Sequence, residues 1–325
     1  MKKRFISPFG LAIKRYLKLQ RSLGRILDEN EYVLGYFDRY LAAHFPETKY
    51  VTRAMVVGYL ETMSHVHSTT RCARLSIIRQ FCRFLFQLNP KTYIPETKLI
   101  PPAKRKTEPH IYTPEELQSI LRRTSRLAPL DSLRPHTFTS LISLLWVSGM
   151  RISEVLKLNL EDIDLSTGII HVRQTKFYKS RLIPLARSST AALERYYNRR
   201  AQYGHDQHPT APFFVNECAK RCNYITIQIV FHELVRQLGI KTAQGKPPRL
   251  HDFRHTFATR WLSEFYHSGK DPTACLPVVA TYLGHTDVTK TQVYLHPSLE
   301  VLQTASKQFG AHAMQKPIKT RRNPK

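Results

Sequence analysis

The sequence predicts a mainly α-helical protein with one small β-sheet, an α+β arrangement spread over two domains. Three observations carry that expectation. Apolar residues recur at helical spacing through most of the chain, the stretch from Ile163 to Leu185 switches to a period of two, and a proline-rich basic interval separates two halves. At 325 residues the chain is long enough for two buried cores. No internal repeat is visible.

Residues 1–90 read as a helical domain, with segments over Phe9–Leu23, Glu31–Ala43, Thr52–Met63 and Thr69–Leu88. In the last of these, Leu75, Ile78, Cys82 and Leu85 share one face, while Arg71, Arg74, Arg79 and Arg83 supply a basic surface. A DNA-facing role for those arginines is favoured over a merely solvated helix face, because charge of the same sign recurs elsewhere. Residues 91–112 are expected to form a basic linker. Pro95, Pro101, Pro102 and Pro109 restrict the backbone, and Lys104, Arg105 and Lys106 would lie along a phosphate backbone or act as a solvated tether.

The second domain is expected over residues 113–310. It opens with a capping box, Thr113-Pro114-Glu115-Glu116, ahead of Leu117, Ile120 and Leu121. Thr137 to Val147 is a dense apolar helix that stops at Ser148-Gly149, and Arg151 begins a new helical turn. An arginine at such a junction is most simply a structural residue, paired to Glu154 or to a carbonyl. Strands follow over Ile169–Arg173 and Arg181–Leu185, placing Lys176 and Lys179 at a hairpin tip, where solubility is the ordinary role of a lysine. More helices run to about Gly239. From His251 the residues Phe253, Phe257, Trp261 and Phe265 mark a helix with one buried stripe, and His251 and Arg254 share a face of it. Val279, Tyr282 and Leu283 mark another helix, which Gly284 would end in a left-handed cap. His285 and Tyr294 come next. Two histidines, an arginine and a tyrosine thus stand at element ends, where reactive groups can converge. Residues 311–325 read as a basic disordered tail.

Bulk charge narrows the partner. Fifty Lys and Arg against 24 Asp and Glu give +26, which favours a polyanion and above all nucleic acid over an ordinary basic enzyme. A membrane role is disfavoured, since no stretch reaches the ~18 apolar residues a span requires. The start Met1-Lys2-Lys3-Arg4 resembles that of a signal peptide, but Pro8, Gly10, Lys14 and Arg15 interrupt the chain before an apolar core develops, so the cytoplasm is expected. The five cysteines are odd in number and irregularly spaced, as reduced thiols would be. Cys218 and Cys222 with His232, or His251 with His255, could suggest zinc, but neither set has a complete ligand spacing, and no metal is expected.

Taken in order, Ser148-Gly149-Met150-Arg151-Ile152-Ser153-Glu154, Lys176 before Arg181, His251-Asp252-Phe253-Arg254-His255-Thr256, Leu283-Gly284-His285 and Tyr294 resemble the tyrosine recombinase, or phage integrase, family. Met150 stands where leucine is more usual, and Thr175-Lys176-Phe177 replaces the commoner Gly-Lys-Gly. The resemblance covers roughly residues 113–310, and the N-terminal half looks like the family's core-binding domain.

It implies a site-specific recombinase or integrase, serving a mobile element, that cleaves and rejoins DNA through a 3′-phosphotyrosine without metal or ATP. Tyr294 would be the nucleophile, Arg151 and Arg254 the phosphate clamp, His251 the proton handler, His285 a further donor and Lys176 the acid for the leaving 5′ oxygen. It also implies double-stranded DNA at specific sites, four protomers in a synaptic complex, exchange of C-terminal helices between them, and room for accessory proteins. Two rival readings stand beside it: a type IB topoisomerase-like relaxing enzyme, and a non-catalytic DNA-binding accessory protein.

Overall fold

The computed structural model describes residues 5–25, 27–101, 108–173, 180–268 and 272–284. Among them it is mostly helical with one three-stranded sheet, and the chain divides into two compact units between Thr107 and Glu108. That division falls inside the stretch expected as a linker.

The first unit contains α1 (Gly10–Ser22), α2 (Asp28–His44), α3 (Arg53–Glu61) and α4 (Ser68–Leu88). These segments match the periodic ones within a few residues. The largest difference is the start of α2, where Asp28, Glu29 and Glu31 fill the first turn and so complement the positive end of the helix dipole. The helices bury Ile13, Leu34, Phe37, Leu41, Val56, Ile78, Phe81 and Cys82 in one core. A polar staple closes it: buried Asp38 on α2 accepts from the Ile6 and Ser7 amides and the Ser7 hydroxyl, fastening the segment before α1.

Residues 91–101 differ from the expected free linker. The Tyr93 amide donates to the Val51 carbonyl at 2.8 Å, Ile100 is buried in the core, and Arg79 donates to the Pro95 and Glu96 carbonyls at 2.7 Å each. Prolines remove amide donors but keep their carbonyls, so an arginine can hold a proline-rich segment that no ladder could.

The second unit is built around α6 (Arg134–Ser148), which follows α5 (Pro114–Thr124). The predicted capping box at Thr113 forms, with the Glu116 amide on Thr113 Oγ1 and the Thr113 amide on the Glu116 carboxylate. Helix α6 starts earlier than its apolar pattern, because Pro135 fits the first turn, where no amide is needed. It buries residues on most of its faces, including Phe138, Leu141, Ile142 and Leu145, as a central helix must.

After the short α7 (Ile152–Val155), strands β1 (Ile163–Asp164), β2 (Ile169–Val172) and β3 (Arg181–Pro184) pair antiparallel in chain order. Ile170 lies opposite Ile163 on one side and Ile183 on the other, and Ile170 and Ile183 join the α6 core. Pro184 is tolerated because β3 is an edge strand. Helices α8 (Arg187–Gln202) and α9 (Tyr224–Gln237) complete this core.

Helix α10 (Asp252–His267) carries the predicted stripe but divides it. Phe253 enters the α6 core, whereas Phe257 and Trp261 pack against Tyr282 of α11 (Pro272–Leu283) over a smaller cluster of Ala258, Leu262, Leu276, Val279 and Leu283. Packing pushes the Tyr282 phenol up to about 12, as suits a tyrosine held in the core.

Candidate active site

Two glycines bring four elements together. Gly149 ends α6 with φ of +57°, and a Cβ there would lie 2.5 Å from the Phe257 ring of α10 and 3.1 Å from Leu283 of α11. Gly284 ends α11 with φ of +67°, and a Cβ there would lie 2.8 Å from the Arg181 guanidinium at the start of β3. Only a residue without a side chain lets these backbones adopt the left-handed turn and approach so closely.

The end of α11 then becomes an arginine collector. Its last carbonyls have no partner within the helix, and the negative end of the dipole attracts cations. The Tyr282 carbonyl accepts from Arg181 Nε at 2.8 Å, the Leu283 carbonyl from Arg254 Nη2 at 2.6 Å, and the Gly284 carbonyl from Arg151 Nη2 at 3.3 Å. Arg254, in the first turn of α10, is buried and also donates to the Gly149 carbonyl at 3.0 Å. Its anchorage is thus the two glycine-terminated helix ends.

Arg151 is held from its other side by Glu154, three residues on. The carboxylate accepts the Arg151 amide at 3.0 Å and Arg151 Nη1 at 2.8 Å. It also accepts Arg181 Nη2 at 2.7 Å and Nη1 at 3.2 Å. Burial alone would raise the Glu154 pKa, but the bonds from Arg181 and Arg151 outweigh it and hold the carboxyl below its usual range. An ionised Glu154 thus links two guanidinium groups. Arg151 keeps about a third of its side chain exposed while Glu154 and Arg181 are nearly buried, so of the three it is the one open to a ligand.

His251 precedes α10 and reaches solvent, with its ring edge-on to His255 at 5.1 Å. The protein packed around it, then Arg254 and Arg249, lower its pKa, so the imidazole is neutral near pH 7. Burial, with His251 and the arginines adding to it, pushes His255 down to about 4. The turn carrying both histidines is fixed by buried Asp252, which accepts the Arg249 amide and side chain, and by Thr256 Oγ1, which accepts the Tyr112 amide. Among the described residues no group of three or more His, Cys, Asp or Glu could hold a metal ion.

The structure therefore brings Arg151, His251 and Arg254 to one region and places the end of α11, just ahead of His285, against them. Lys176, His285 and Tyr294 lie outside the described residues, as do Lys104, Arg105, Lys106 and Lys179. Arg151 has both partners considered for it, Glu154 and a carbonyl. Arg181 is the residue that sequence reasoning missed. Its only local signal is a charged side chain opening a strand whose next neighbours alternate between surface and core.

Of the arginines expected to face DNA, Arg71 and Arg74 sit half-buried at the rim of α4, against the Leu60 carbonyl and the Met63 sulfur. Arg79, on the same helix, donates to the Pro95 and Glu96 carbonyls and so fastens residues 95–96 to α4. A surface cluster that sequence reasoning did not single out lies on α2, where Tyr32 packs on Tyr36 at 4.7 Å and Arg39 stacks over Tyr36 at 4.4 Å.

Residues 111–300 match the phage integrase family, more than half of the chain. A protein of Sinorhizobium fredii (strain NBRC 101917 / NGR234) named as an integrase/recombinase, y4rB, is 34% identical over 94% of this chain and 98% of its own length. The tyrosine recombinase XerC of Chlamydia caviae (strain ATCC VR-813 / DSM 19441 / 03DC25 / GPIC) is 29% identical over 74% of this chain and 71% of its own. The chain belongs to the phage integrase family, the tyrosine recombinases. Among solved structures, the integrase of transposon Tn1549 in complex with transposon right end DNA superposes with a TM-score of 0.64, at 17% identity over 93% of this chain and 99% of that one. The XerH site-specific recombinase bound to a palindromic difH substrate gives 0.61, at 19% identity over 86% and 79%. At such identities the likeness is one of fold.

Proposed function

We propose that the protein is a tyrosine site-specific recombinase or integrase of a mobile element, which cleaves and rejoins duplex DNA through a 3′-phosphotyrosine intermediate. Family membership supports the reaction class. The single observation that carries the site is the meeting of Arg151 and Arg254 at the end of α11, immediately before His285.

Tyr294 attacks the scissile phosphodiester in line and expels the 5′ oxygen, and the phosphotyrosine bond conserves the ester energy for religation. A free phenol has a pKa of about 10, so its proton needs an acceptor. A neutral His251, its pKa lowered by the protein packed around the ring and by its arginine neighbours, suits that task. Charge develops on the non-bridging phosphate oxygens, where Arg151 and Arg254 donate planar, permanently charged forks and His285 adds a donor. Lys176, on the segment that leads into β3, protonates the departing 5′ oxygen.

The substrate is double-stranded DNA at specific recombination sites, on which four protomers assemble and exchange their C-terminal helices, with accessory proteins able to direct them. Arg71 and Arg74, Lys104, Arg105 and Lys106, and Lys179 contact the DNA, and the net charge of +26 supports a phosphate-tracking surface. No helix among the described residues is long and apolar enough to cross a membrane, and the reaction belongs in the cytoplasm with the DNA.

The test is covalent trapping. Wild type and Tyr294→Phe are incubated with nicked suicide duplexes built from the sequences flanking the protein's own coding region, and protein–DNA adducts are resolved on denaturing gels. The expected result is an adduct in wild type that disappears in Tyr294→Phe. Tight, salt-sensitive binding without any adduct would favour the non-catalytic DNA-binding reading, whereas an adduct accompanied by relaxation without exchange between two sites would favour the topoisomerase-like one.

A further inference from the structure

Arg181 has the geometry of a part that several others share. Its side chain is nearly buried at the first residue of β3, and all three of its guanidinium nitrogens donate. Nη1 and Nη2 bind the two oxygens of Glu154, at 3.2 and 2.7 Å, and Nε binds the Tyr282 carbonyl at 2.8 Å. Glu154 in turn holds the amide and Nη1 of Arg151. The position of Gly284 is shaped to the same group, since any Cβ there would stand 2.8 Å from Arg181 Nη1.

One guanidinium thus joins three pieces of the site: the first residue of β3, the carboxylate that aims Arg151, and the end of α11. A lysine could keep the charge but not these bonds. A planar fork reaches both carboxylate oxygens and a carbonyl off to its side, whereas an ammonium on a flexible stem is a point charge with no fixed plane. Given that the protein is a strand-cleaving recombinase, we propose that Arg181 is a positioning residue for cleavage, acting through Glu154 on Arg151 and holding the end of α11 in place, without touching DNA.

The consequence is specific. Losing the fork should leave DNA affinity and fold largely intact while misplacing the phosphate clamp, and a displacement of about 1 Å in such a clamp costs on the order of 10²-fold in rate. The experiment measures single-turnover cleavage of the nicked suicide duplex at saturating protein, with DNA affinity and thermal melting measured on the same full-length preparations.

Arg181→Lys should cleave on the order of 10²-fold more slowly, with affinity within about threefold of wild type. Glu154→Gln, which keeps the shape and removes the charge that Arg181 and Arg151 share, should show the same division. It also serves as the reading should Arg181→Lys fail to melt cooperatively. In an Arg151→Lys background, Arg181→Lys should cost far less than in wild type, because the group it positions is already lost.

Wild-type rates in Arg181→Lys, or in Glu154→Gln where it stands in, would overturn the proposal, as would equal costs in both Arg151 backgrounds. Weakened DNA binding with an unchanged rate at saturation would make Arg181 a docking residue and overturn it too. The wild-type adduct and its loss in Tyr294→Phe keep the two readings apart. With that control satisfied, a negative result condemns the role of Arg181 alone; without it, the functional reading fails and the proposal with it.

Discussion

Both units use arginine to satisfy stranded backbone carbonyls, and the outcome differs with what the carbonyls belong to. In the first unit, Arg79 holds the carbonyls of Pro95 and Glu96, two residues of a loop, and the result is a stapled loop. In the second, Arg181 and Arg254 hold the last two carbonyls of a helix and Arg151 that of the glycine after it, and two of the three arginines also reach a shared carboxylate. The result there is a cluster of cations fixed beside the residue that comes after the helix. The difference teaches that a guanidinium–carbonyl bond is not itself a functional sign. Convergence is: three cations drawn together at considerable electrostatic cost need a carboxylate and a helix dipole to hold them, and such a concentration of positive charge is suited to an anion in a dry site.

The largest effect should come from the most deeply held member. Arg254→Lys keeps a positive charge but cannot span the Gly149 and Leu283 carbonyls as the guanidinium does. Cleavage in the trapping assay should fall by about 10²- to 10³-fold, the scale seen when one preorganised donor to a developing oxyanion is lost. A carbonyl left unsatisfied in the interior should add a stability loss of about 1–3 kcal/mol in urea unfolding. Near-normal cleavage would mean that Arg254 is no more than another staple, and the contrast with Arg79 would collapse.

Much of this frame was legible in the sequence for physical reasons. Periodicity reports burial, so α4, α6 and the apolar stripe of α10 could be read from Leu75, Phe138 or Phe253, and the Thr113 capping box is a purely local device. Gly149 and Gly284 announced helix ends. The rest depends on contacts that no local rule sees. Arg181 meets Tyr282 across 101 positions of sequence and Arg254 meets Gly149 across 105. Arg79 reads as one of a row of DNA-facing arginines, and its hold on the Pro95 and Glu96 carbonyls is invisible locally because those partners lie beyond the end of its own helix. Residues 91–101 read as part of a linker because prolines advertise missing donors, while the carbonyls and side chains that pack them, such as Ile100, give no periodic signal.

The histidines sharpen the comparison through pH. His255 has a folded pKa of about 4, against an ordinary value of 6.5, because it is buried and lies among His251 and the arginines. Between those values the unfolded chain binds more protons than the folded one, so stability is full above about pH 6.5 and falls as pH drops toward 4. At about 1.4 kcal/mol per pKa unit the loss reaches at most about 3.5 kcal/mol. Both tryptophans, Trp146 and Trp261, lie in the second unit, so fluorescence-detected urea unfolding at pH 7, 5.5 and 4.5 reports on it directly. His255→Gln should flatten that dependence. A slope unchanged by the substitution would place the acid sensitivity elsewhere.

The smallest effect tests the other side of the contrast. Arg79→Ala removes two hydrogen bonds to partly exposed loop carbonyls, which water can replace, so the cost should be about 1 kcal/mol. With no tryptophan in the first unit, that loss should appear in the far-ultraviolet circular dichroism transition and leave the tryptophan transition in place. Cleavage of a saturating suicide duplex should stay within about twofold of wild type, since a surface-level staple leaves the chemistry untouched. A large fall in DNA affinity with an unchanged transition would reverse the assignment: Arg79 would then reach phosphate in the complex and release residues 95–96 to do so, and its carbonyl bonds would be a resting arrangement, not a staple.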